Sequence, residues 1–431
     1  MSPDELRERV SSELPSRPLV VALGGGADSA VAAWVSEPHS LVRAVFVNHE
    51  LDGSAALLAS AVKLAEVLDL PLSILSAPVA EGSNLESRAR DARWLAIRSS
   101  LGTDEVVVTG HSRDDLAETV LINLLRGAGA RGLAAMAAPH PGIVRPLLDI
   151  DRTDLREVAE AVGLPFTDDQ MNDRTDLLRN RVRADLMPLL AEKYQPAVRS
   201  SLARAALHLA QDDAALDAAA GQIPFRDDEG AVLVSIALLV TVPRPIAARA
   251  VRTALRRVNP PYAGRSDDVN AVLRIAAGDG TKVTLSSALT AAREGPYVAI
   301  WHGEPAVPDP VLLEMPEAMR FGECIISIAA RHSAPPAPRS TVLVDADVFD
   351  EALWIRAAEN GERIDIDGGT KLIRDALAEA GVPHRKRAAW PVLARGARIA
   401  AIVSGRVAPW ARPTGVRAVA ITTSPVPRER A

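Results

Sequence analysis

The chain has 431 residues, which predicts two or three domains, and 48% of its residues are apolar, as in a globular protein. Its net charge of −6 argues against indiscriminate nucleic-acid binding, and its single cysteine, Cys324, excludes an intrachain disulfide and a paired-cysteine metal site. No run approaches the roughly 18 apolar residues that span a bilayer, and the first residues lack an apolar signal segment. We therefore expect a cytoplasmic protein without a membrane partner.

The first third of the chain alternates short apolar runs with segments of helical period. The apolar runs, which predict strands, are 18–23, 41–47, 72–75, 105–110 and 143–148. The segments of helical period between them are 28–37, 54–68, 84–100 and 114–126. This alternation predicts a parallel sheet with helices on both faces, and such sheets bind ligands beyond the carboxyl ends of their strands.

Three glycines follow the first apolar run, in the stretch "LVVALGGGADSAVAAWV" at 19–35. Glycines let the backbone approach phosphate oxygens, and the following helix offers free N–H groups and the positive end of its dipole. Asp28, directly behind the glycines, would repel phosphates unless Mg²⁺ accompanies them. The loop predicts a site for the phosphates of ATP, although plain turn glycines explain the same residues. Neither a Walker-type loop nor G-x-G-x-x-G is present.

Three acidic residues occur in "GHSRDDLAET" at 110–119, where a predicted strand passes into a helix. Asp114, Asp115 and Glu118 lie on one side of that helix, because spacings of three and four share a face. Such a cluster can hold Mg²⁺ or the ammonium group of a small cationic substrate. The alternative is that the acids only complement the helix dipole. Arg126 would flank the far end of the helix.

An arginine-rich segment, "RNRVR" at 179–183, follows in the chain, with Arg174 upstream of it. Arginine suits phosphate because its planar guanidinium donates two hydrogen bonds at once. Surface ion pairs with the neighbouring aspartates are the alternative.

The pattern becomes mostly helical after residue 148. Further predicted elements are helices at 151–162, 184–220 and 243–258 and a hairpin at 281–300. Prolines are frequent between 305 and 316 and in "SAPPAPRS" at 333–340, which predicts a linker. The expected domains are an α/β domain over 1–215, a mostly helical domain over 216–310, a proline-rich linker over 311–340 and a small basic α/β domain over 341–431.

Basic residues dominate the C-terminal part of the sequence. From Lys371 to Arg417 there are ten Lys and Arg residues, opposed only by Asp375 and Glu379. A positive end on an acidic protein indicates a module that binds a polyanion, and a solvated charged face is the alternative.

Together these stretches resemble the tRNA(Ile)-lysidine synthetase family of the N-type ATP pyrophosphatases. The family's phosphate loop, S-G-G-x-D-S, resembles 24–29, and its G-H-x-x-D-D-x-A-E-T helix resembles 110–119. The other similar segments lie at 84–94, 145–148, 169–172, 179–183 and 361–393. The resemblance covers nearly the whole chain, loosely over 215–340. It implies a Rossmann-like fold of the adenine nucleotide alpha hydrolase type for the N-terminal domain.

The resemblance also implies a reaction. The family joins L-lysine to C2 of the wobble cytidine of tRNA(Ile) with a CAU anticodon: ATP adenylates the C2 oxygen, pyrophosphate leaves, and the lysine ε-amine displaces AMP to give lysidine. The implied cofactors are ATP and Mg²⁺, and the implied partners are that tRNA and free L-lysine. The middle and C-terminal domains would bind the tRNA, and a homodimer is one alternative for the oligomeric state.

The roles implied by the resemblance fall on residues in three groups. The catalytic group consists of Asp28, which is also the metal ligand, Asp115, Glu118 and Arg179. The nucleotide-binding group consists of Gly24, Gly25, Gly26, Ala27, Asp28, Ser29, His49 and His111. The substrate-binding group consists of Asp114, Asp115, Glu118, Arg126, Asn172, Arg174, Asn180 and Arg183.

The sequence departs from the family pattern at Gly24, where the family has serine. Loss of a hydroxyl that donates to a charged phosphate costs about 1.5–3 kcal/mol, so we expect weakened contact with ATP rather than none. Two alternatives remain at this point: a catalytically impaired relative that only binds tRNA, and another N-type ATP pyrophosphatase such as an NAD synthetase-like amide ligase. The latter would share the loop but would not need a basic C-terminal module.

Overall fold

The computed structural model describes residues 2–51, 53–80, 82, 85–168, 177–304, 306–313, 318–322, 324–331, 341–403, 405–414 and 417–425. The chain divides into two compact units, Met1–Ala215 and Leu216–Ala431. Within the described ranges, no helix has both the length and the apolar character needed to cross a membrane.

The first unit is built on a five-stranded sheet. Its strands are β1 (Leu19–Leu23), β2 (Val42–Asn48), β3 (Leu72–Ser76), β4 (Val106–Thr109) and β5 (Ile143–Val144). They lie in the order β3-β2-β1-β4-β5, and every neighbouring pair is parallel, which confirms the predicted parallel sheet. The connections turn in opposite directions on either side of β1 and β4, and this reversal opens a crevice at the carboxyl ends of these two strands.

The strands are apolar throughout because both faces of the sheet are covered. Leu19 and Val21 of β1 belong to the core on one face, whereas Val20, between them, packs on the other face with Ile97. Alternate residues of a strand point to opposite faces, so a sheet that is buried twice requires an unbroken apolar run.

Helices connect and cover these strands. They are α1 (Pro3–Glu13), α2 (Ala27–Ser36), α3 (Ser54–Val67), α4 (Leu85–Ser100), α5 (Arg113–Leu125), α6 (Ala130–Ala134), α7 (Arg152–Val162), α8 (Leu178–Arg181), α9 (Met187–Lys193) and α10 (Val198–Gly221). A π-helical turn over Val182–Leu186 joins α8 to α9.

Two predicted elements differ from the structure, and proline explains both differences. The strand predicted over 143–148 has only the two residues of β5, because Pro146 has no N–H with which to continue the ladder. The single helix predicted over 184–220 is divided into α9 and α10, because Pro196 lacks an N–H and disfavours helical backbone at the residue before it.

The second unit begins with an antiparallel sheet. Its strands are β6 (Phe225–Asp228), β7 (Ala231–Ser235), β8 (Lys282–Thr284), β9 (Leu289–Glu294) and β10 (Tyr297–His302), in the order β6-β7-β10-β9-β8. The helices α11 (Ile236–Thr241), α12 (Arg244–Val258) and α13 (Ser266–Ala277) share one apolar core with the sheet. The hairpin predicted over 281–300 is confirmed by the antiparallel pairing of β9 with β10.

The rest of the second unit is rich in strands. Two four-stranded sheets, β11-β15-β18-β19 and β12-β13-β20-β14, consist of β11 (Val311–Leu312), β12 (Ala318–Phe321), β13 (Cys324–Arg331), β14 (Thr341–Asp345), β15 (Trp354–Ala357), β18 (Pro391–Arg395), β19 (Arg398–Ile402) and β20 (Ala418–Pro425). A two-stranded ribbon, β16 (Arg363–Ile366) with β17 (Gly369–Leu372), precedes α14 (Ile373–Glu379). The sequence predicts a linker over 311–340, but β11, β12 and β13 occupy much of its first part, and 332–340 lies outside the described residues.

Candidate functional site

The glycine loop joins the carboxyl end of β1 to the first turn of α2. Gly25 has φ +81°, and a Cβ atom there would lie 2.7 Å from the Leu57 carbonyl oxygen, so this position requires glycine. The Ser29 hydroxyl donates to the Gly26 carbonyl at 2.8 Å and accepts from the Gly24 N–H at 3.1 Å. These contacts close the loop over the start of α2, where helix N–H groups are available to an anion.

A cavity of about 900 Å³ lies beside this loop. It is large enough for a nucleotide, since small-molecule sites are typically about 300–1,000 Å³. The residues of the predicted site that line it are Gly24, Gly26, Ala27, Asp28, Ser29, His111, Asp114 and Arg183. Arginines of other segments line it as well: Arg90, Arg93, Arg113, Arg152, Arg156 and Arg199. The cavity thus joins the glycine loop to a wall rich in arginines, several of which pair with aspartates of the same wall.

The first turn of α5 presents a pair of buried carboxylates. Asp115 and Glu118 are 8% and 2% exposed, and they follow Ser112, the N-cap residue of the helix. The Ser112 N–H and hydroxyl both donate to Asp115 Oδ2, at 2.9 and 3.0 Å. This capping arrangement fixes the Asp115 side chain at the carboxyl end of β4.

Three arginines neutralise this acidic pair. Arg152, which begins α7, donates to Asp115 Oδ1 at 2.7 Å and to Glu118 Oε1 at 3.3 Å. Arg179 donates to the same two carboxylates at 3.0 and 3.2 Å, and Arg183 donates to Glu118 at 2.8 and 2.9 Å. Asp28 is joined to the cluster, because Arg152 Nε lies 3.3 Å from its Oδ2. Three carboxylates and three guanidinium groups therefore form one ion cluster.

The two aspartates of the cluster differ in acidity. Burial raises the pKa of the Asp28 carboxyl to about 6, because the charge of Arg152 compensates only partly. Burial would also raise the pKa of Asp115, but the guanidinium groups of Arg152 and Arg179 outweigh it and hold that pKa below its ordinary value. Asp115 is thus ionised at neutral pH, whereas the Asp28 carboxyl gains and loses its proton at a pH just below neutral.

The two predicted histidines lie in different surroundings. His111 lines the cavity, its Nδ1 is 2.7 Å from Thr109 Oγ1, and burial lowers its pKa to about 4. His49 is buried and its Nδ1–H donates to the Ala77 carbonyl at 2.9 Å, while burial lowers its pKa also. Both imidazoles are therefore neutral at pH 7, and of the two only His111 is among the described residues that line the cavity.

The remaining predicted residues lie in several places. Asp114 lies at the cavity wall, where it accepts from the Arg152 N–H at 2.9 Å and pairs with Arg199 at 3.0 Å. Asn180 is buried in α8, between Arg179 and Arg183 in sequence. Arg126 is exposed at the C-terminal end of α5, away from the acids of the first turn. Asn172 and Arg174 lie outside the described residues.

Sequence reasoning missed several residues of the site, among them Arg152 and Gly110. Arg152 follows the predicted strand 143–148, so its place after a strand end was the available signal. Gly110 lies against the glycine loop, because a Cβ atom there would be 2.5 Å from the Asp28 carbonyl oxygen. Only glycine allows this approach of the β4–α5 connection to the start of α2.

Among the described residues that line the cavity, Asp28 is suited to bind a magnesium ion. Mg²⁺ in nucleotide sites is commonly held by one or two carboxylates together with substrate phosphates, and Asp28 offers a largely buried carboxylate at the cavity wall. Its raised pKa shows that the surrounding charge leaves it undercompensated. Within the described ranges, no group of three or more acidic, histidine or cysteine side chains forms a protein-only metal site.

Comparison with known proteins places these features in context. A family model described as a PP-loop domain matches residues 4–190, and one described as the TilS substrate C-terminal domain matches residues 353–414. The tRNA(Ile)-lysidine synthase of Pseudomonas putida is 31% identical over 414 residues, 89% of this chain and 91% of that relative. The synthase of the same name from Rhodococcus erythropolis is 40% identical over 56% of this chain and 74% of its own length. Among solved structures, the U34-tRNA thiolase NcsA from Methanococcus maripaludis is 20% identical, with a TM-score of 0.40, over 48% of this chain and 78% of its own.

Proposed function

Because the chain belongs to the tRNA(Ile)-lysidine synthase family, we propose that it joins L-lysine to C2 of the wobble cytidine of tRNA(Ile) with a CAU anticodon. The reaction consumes ATP and yields lysidine, AMP and pyrophosphate. One observation carries the proposal: a single cluster links the glycine loop, through Asp28 and Arg152, to the buried carboxylates Asp115 and Glu118. A nucleotide site and a site for an ammonium group are thereby adjacent.

In the first step the cytidine C2 oxygen attacks the α-phosphorus of ATP, and pyrophosphate leaves. The backbone N–H groups at the start of α2 and the arginines of the cavity wall oppose the charge that develops on the phosphates. Asp28 would hold the Mg²⁺, which would supply positive charge to the leaving group. Gly110 keeps the β4–α5 connection close enough to Asp28 for both ligands to meet.

In the second step the neutral lysine ε-amine attacks C2, and AMP leaves. Asp115 and Glu118 bind lysine as a cation, and Asp115 suits binding rather than proton transfer because its pKa lies below its ordinary value. An acceptor for the ammonium proton needs a pKa closer to neutral, and Asp28, whose pKa without metal is about 6, meets this condition once the metal has left with pyrophosphate. Arg179 stays with the acidic pair and holds both carboxylates in position.

Residues of the second unit supply contacts for the tRNA body. Arg374 and Arg398 have side chains that are 72% and 57% exposed, which suits contact with a phosphate backbone. Contacts of this kind position an RNA without reading its sequence, so the choice of the CAU anticodon depends on residues nearer the cavity.

The test is transfer of labelled lysine. The full chain is incubated with ATP, Mg²⁺, [¹⁴C]lysine and tRNA(Ile) with a CAU anticodon, and the control tRNA carries G in place of the wobble C. Label should enter the first tRNA only. Asp115→Asn should abolish transfer, and a cooperative urea unfolding transition checks that this variant is folded. Binding of the tRNA without transfer of label, at any Mg²⁺ concentration, would favour the alternative of an impaired tRNA-binding relative.

A further inference from the structure

Arg145 carries a positive charge that no acidic side chain of the described ranges neutralises. It directly follows β5, at the carboxyl edge of the parallel sheet. Within the part of the chain that the structure describes, its guanidinium group has no hydrogen bond and no ion pair, and its Nε is buried. Arginines of the cavity wall that do pair with acids are Arg113, Arg152, Arg156 and Arg199. The charge of Arg145 therefore needs a different explanation.

The backbone places Arg145 next to the cavity of the candidate site. Because β4 and β5 pair in parallel, Thr109 at the end of β4 and Arg145 lie at the same level of the sheet. Thr109 lines the cavity, and its Oγ1 is 2.7 Å from Nδ1 of His111, which lines the cavity as well. Arg90, a further residue of the cavity wall, is near enough for its charge to act on Arg145.

A positive charge is unfavourable in these surroundings. Burial and the charge of Arg90 both lower the pKa of Arg145, yet a guanidinium group keeps its proton at neutral pH. Burial lowers the pKa of His111 to about 4, and the charges of Arg145 and Arg90 act in the same direction. The positive potential beyond the ends of β4 and β5 therefore favours an anion.

The order of the strands indicates which substrate supplies this anion. The glycine loop follows β1, the acidic pair lies in the helix after β4, and Arg145 follows β5, the next strand of the sheet. The proposed sites for the nucleotide and for lysine occupy the first two positions, which leaves the third for the tRNA. RNA offers a phosphate group at every nucleotide, and a planar guanidinium group can donate two hydrogen bonds to it.

We propose that Arg145 binds a phosphate group of the tRNA next to the wobble nucleotide. This inference rests on the proposed function and adds a residue that holds the cytidine in place for its attack on ATP. It also predicts an effect on stability. A buried charge that serves a ligand destabilises the ligand-free protein, so its removal should not weaken the fold, whereas removal of an arginine that serves the fold should do so.

Arg145→Met tests the proposal, because methionine is a long, unbranched side chain without a charge. Filter binding should show that tRNA(Ile) with a CAU anticodon binds about tenfold more weakly or worse, and that the salt dependence falls by about one phosphate contact. The free energy of urea unfolding should stay equal or rise. Arg145→Lys keeps the charge and should recover most of the salt dependence but not all of the affinity.

Arg17→Met is the matched control, because Arg17 precedes β1 at the opposite, amino edge of the same sheet and pairs with Asp104 at the surface. It removes the same charge and should leave the affinity for tRNA nearly unchanged. Calorimetry with Mg²⁺ and adenosine 5′-(α,β-methylene)triphosphate, in which the bond to be cleaved is blocked, measures nucleotide binding separately.

The possible results separate the inference from the proposed function. If Arg145→Met weakens binding of the ATP analogue but not of the tRNA, the phosphate belongs to the nucleotide and the tRNA contact is overturned. Unchanged affinity for both ligands, or weaker tRNA binding together with a loss of stability, also overturns the inference alone. Absence of tRNA binding to the unaltered protein overturns the proposed function and the inference together.

Discussion

Gly24 is the position at which the loop lacks the serine of the related family. A Cβ atom at Gly24 would contact only Ser29 Oγ, at 3.9 Å, and its backbone does not have a positive φ, so serine fits there without strain. A hydroxyl would add a donor to the phosphates, worth about 1.5–3 kcal/mol for a charged acceptor. Gly24→Ser should therefore lower the KM for ATP by about tenfold or more.

Steady-state kinetics with saturating tRNA and lysine measures this effect. Gly24→Ala is the control, because it adds the Cβ atom without the hydroxyl and should leave the KM for ATP unchanged. Equal KM values for all three proteins would mean that backbone N–H groups alone satisfy the phosphates.

Asp28 gives the site a pH dependence through its raised pKa. Below pH 6 the free protein carries a protonated Asp28, so binding of a magnesium nucleotide should weaken about tenfold for each further pH unit. Asp28→Asn should bind the nucleotide weakly at every pH, without the loss of affinity below pH 6. Calorimetric titrations with Mg²⁺ and adenosine 5′-(α,β-methylene)triphosphate between pH 5 and pH 8 measure the affinity of both proteins. A loss of affinity below pH 6 in the Asn variant would assign the proton to another group.

The same shift predicts a change in stability. Because the pKa of Asp28 is higher in the folded chain than its ordinary value, its contribution to stability is present below that ordinary value and is lost as the pH rises through about 6. Asp28→Asn should therefore be more stable than the unaltered protein at pH 8, by at most about 3 kcal/mol, and this advantage should disappear near pH 4. Urea unfolding at the two pH values measures the difference.

At the scale of elements, the cap of α5 links stability to the site. Ser112 is fully buried and gives Asp115 Oδ2 two hydrogen bonds. Ser112→Ala removes the hydroxyl and should cost about 1 kcal/mol of unfolding free energy, and it should also weaken lysine binding because Asp115 loses a partner. Urea unfolding and calorimetry measure the two effects.

The first helix provides a matched control for the cap. In α1, Ser2 and Glu5 form the same capping box at an exposed end, with bonds of 2.8 and 3.2 Å. Ser2→Ala should cost a similar or smaller amount of stability and leave lysine binding unchanged. Equal effects of the two substitutions on lysine binding would contradict a role for Ser112 in positioning Asp115.

The sequence predicts those elements whose signal is local. The parallel sheet, the glycine loop and the acidic face of α5 follow from apolar runs, turn residues and helical spacing, each read within about twenty residues. The ion cluster could not be read in this way, because Arg152 contacts Asp28 and Asp115 across 124 and 37 residues of sequence. The predicted ends of two elements were wrong, because Pro146 and Pro196 interrupt a strand and a helix whose apolar pattern continues in the sequence.

At the scale of the whole molecule, the C-terminal part has a smaller excess of positive charge than the residues from Lys371 to Arg417 alone indicate. The ten basic residues between Lys371 and Arg417 are met by acids from just outside that window. Arg398 pairs with Asp365 at 3.0 Å and Arg412 pairs with Asp367 at 2.9 Å. From Thr341 to Pro425 there are twelve basic and ten acidic residues, so we expect the proposed tRNA binding to depend on which arginines stay exposed rather than on net charge.

Within the second unit, Arg385 has a structural role and differs in this from the exposed arginines that we propose to contact RNA. The sequence counts it among the polyanion-binding residues, but it is 6% exposed, and its guanidinium pairs with Glu294 of β9 and Asp228 of β6. Arg385→Ala would leave the Glu294 carboxylate with the backbone N–H of residue 385 but without the guanidinium group, and breaking a buried ion pair typically costs about 3–5 kcal/mol. Arg374, 72% exposed, is the contrast, and Arg374→Ala should hardly change stability but should lower the salt dependence of tRNA binding by about one counterion. Urea unfolding and filter binding at several salt concentrations measure both variants. If Arg385→Ala has unchanged stability but weaker tRNA binding, Arg385 contacts the RNA and its role is not structural.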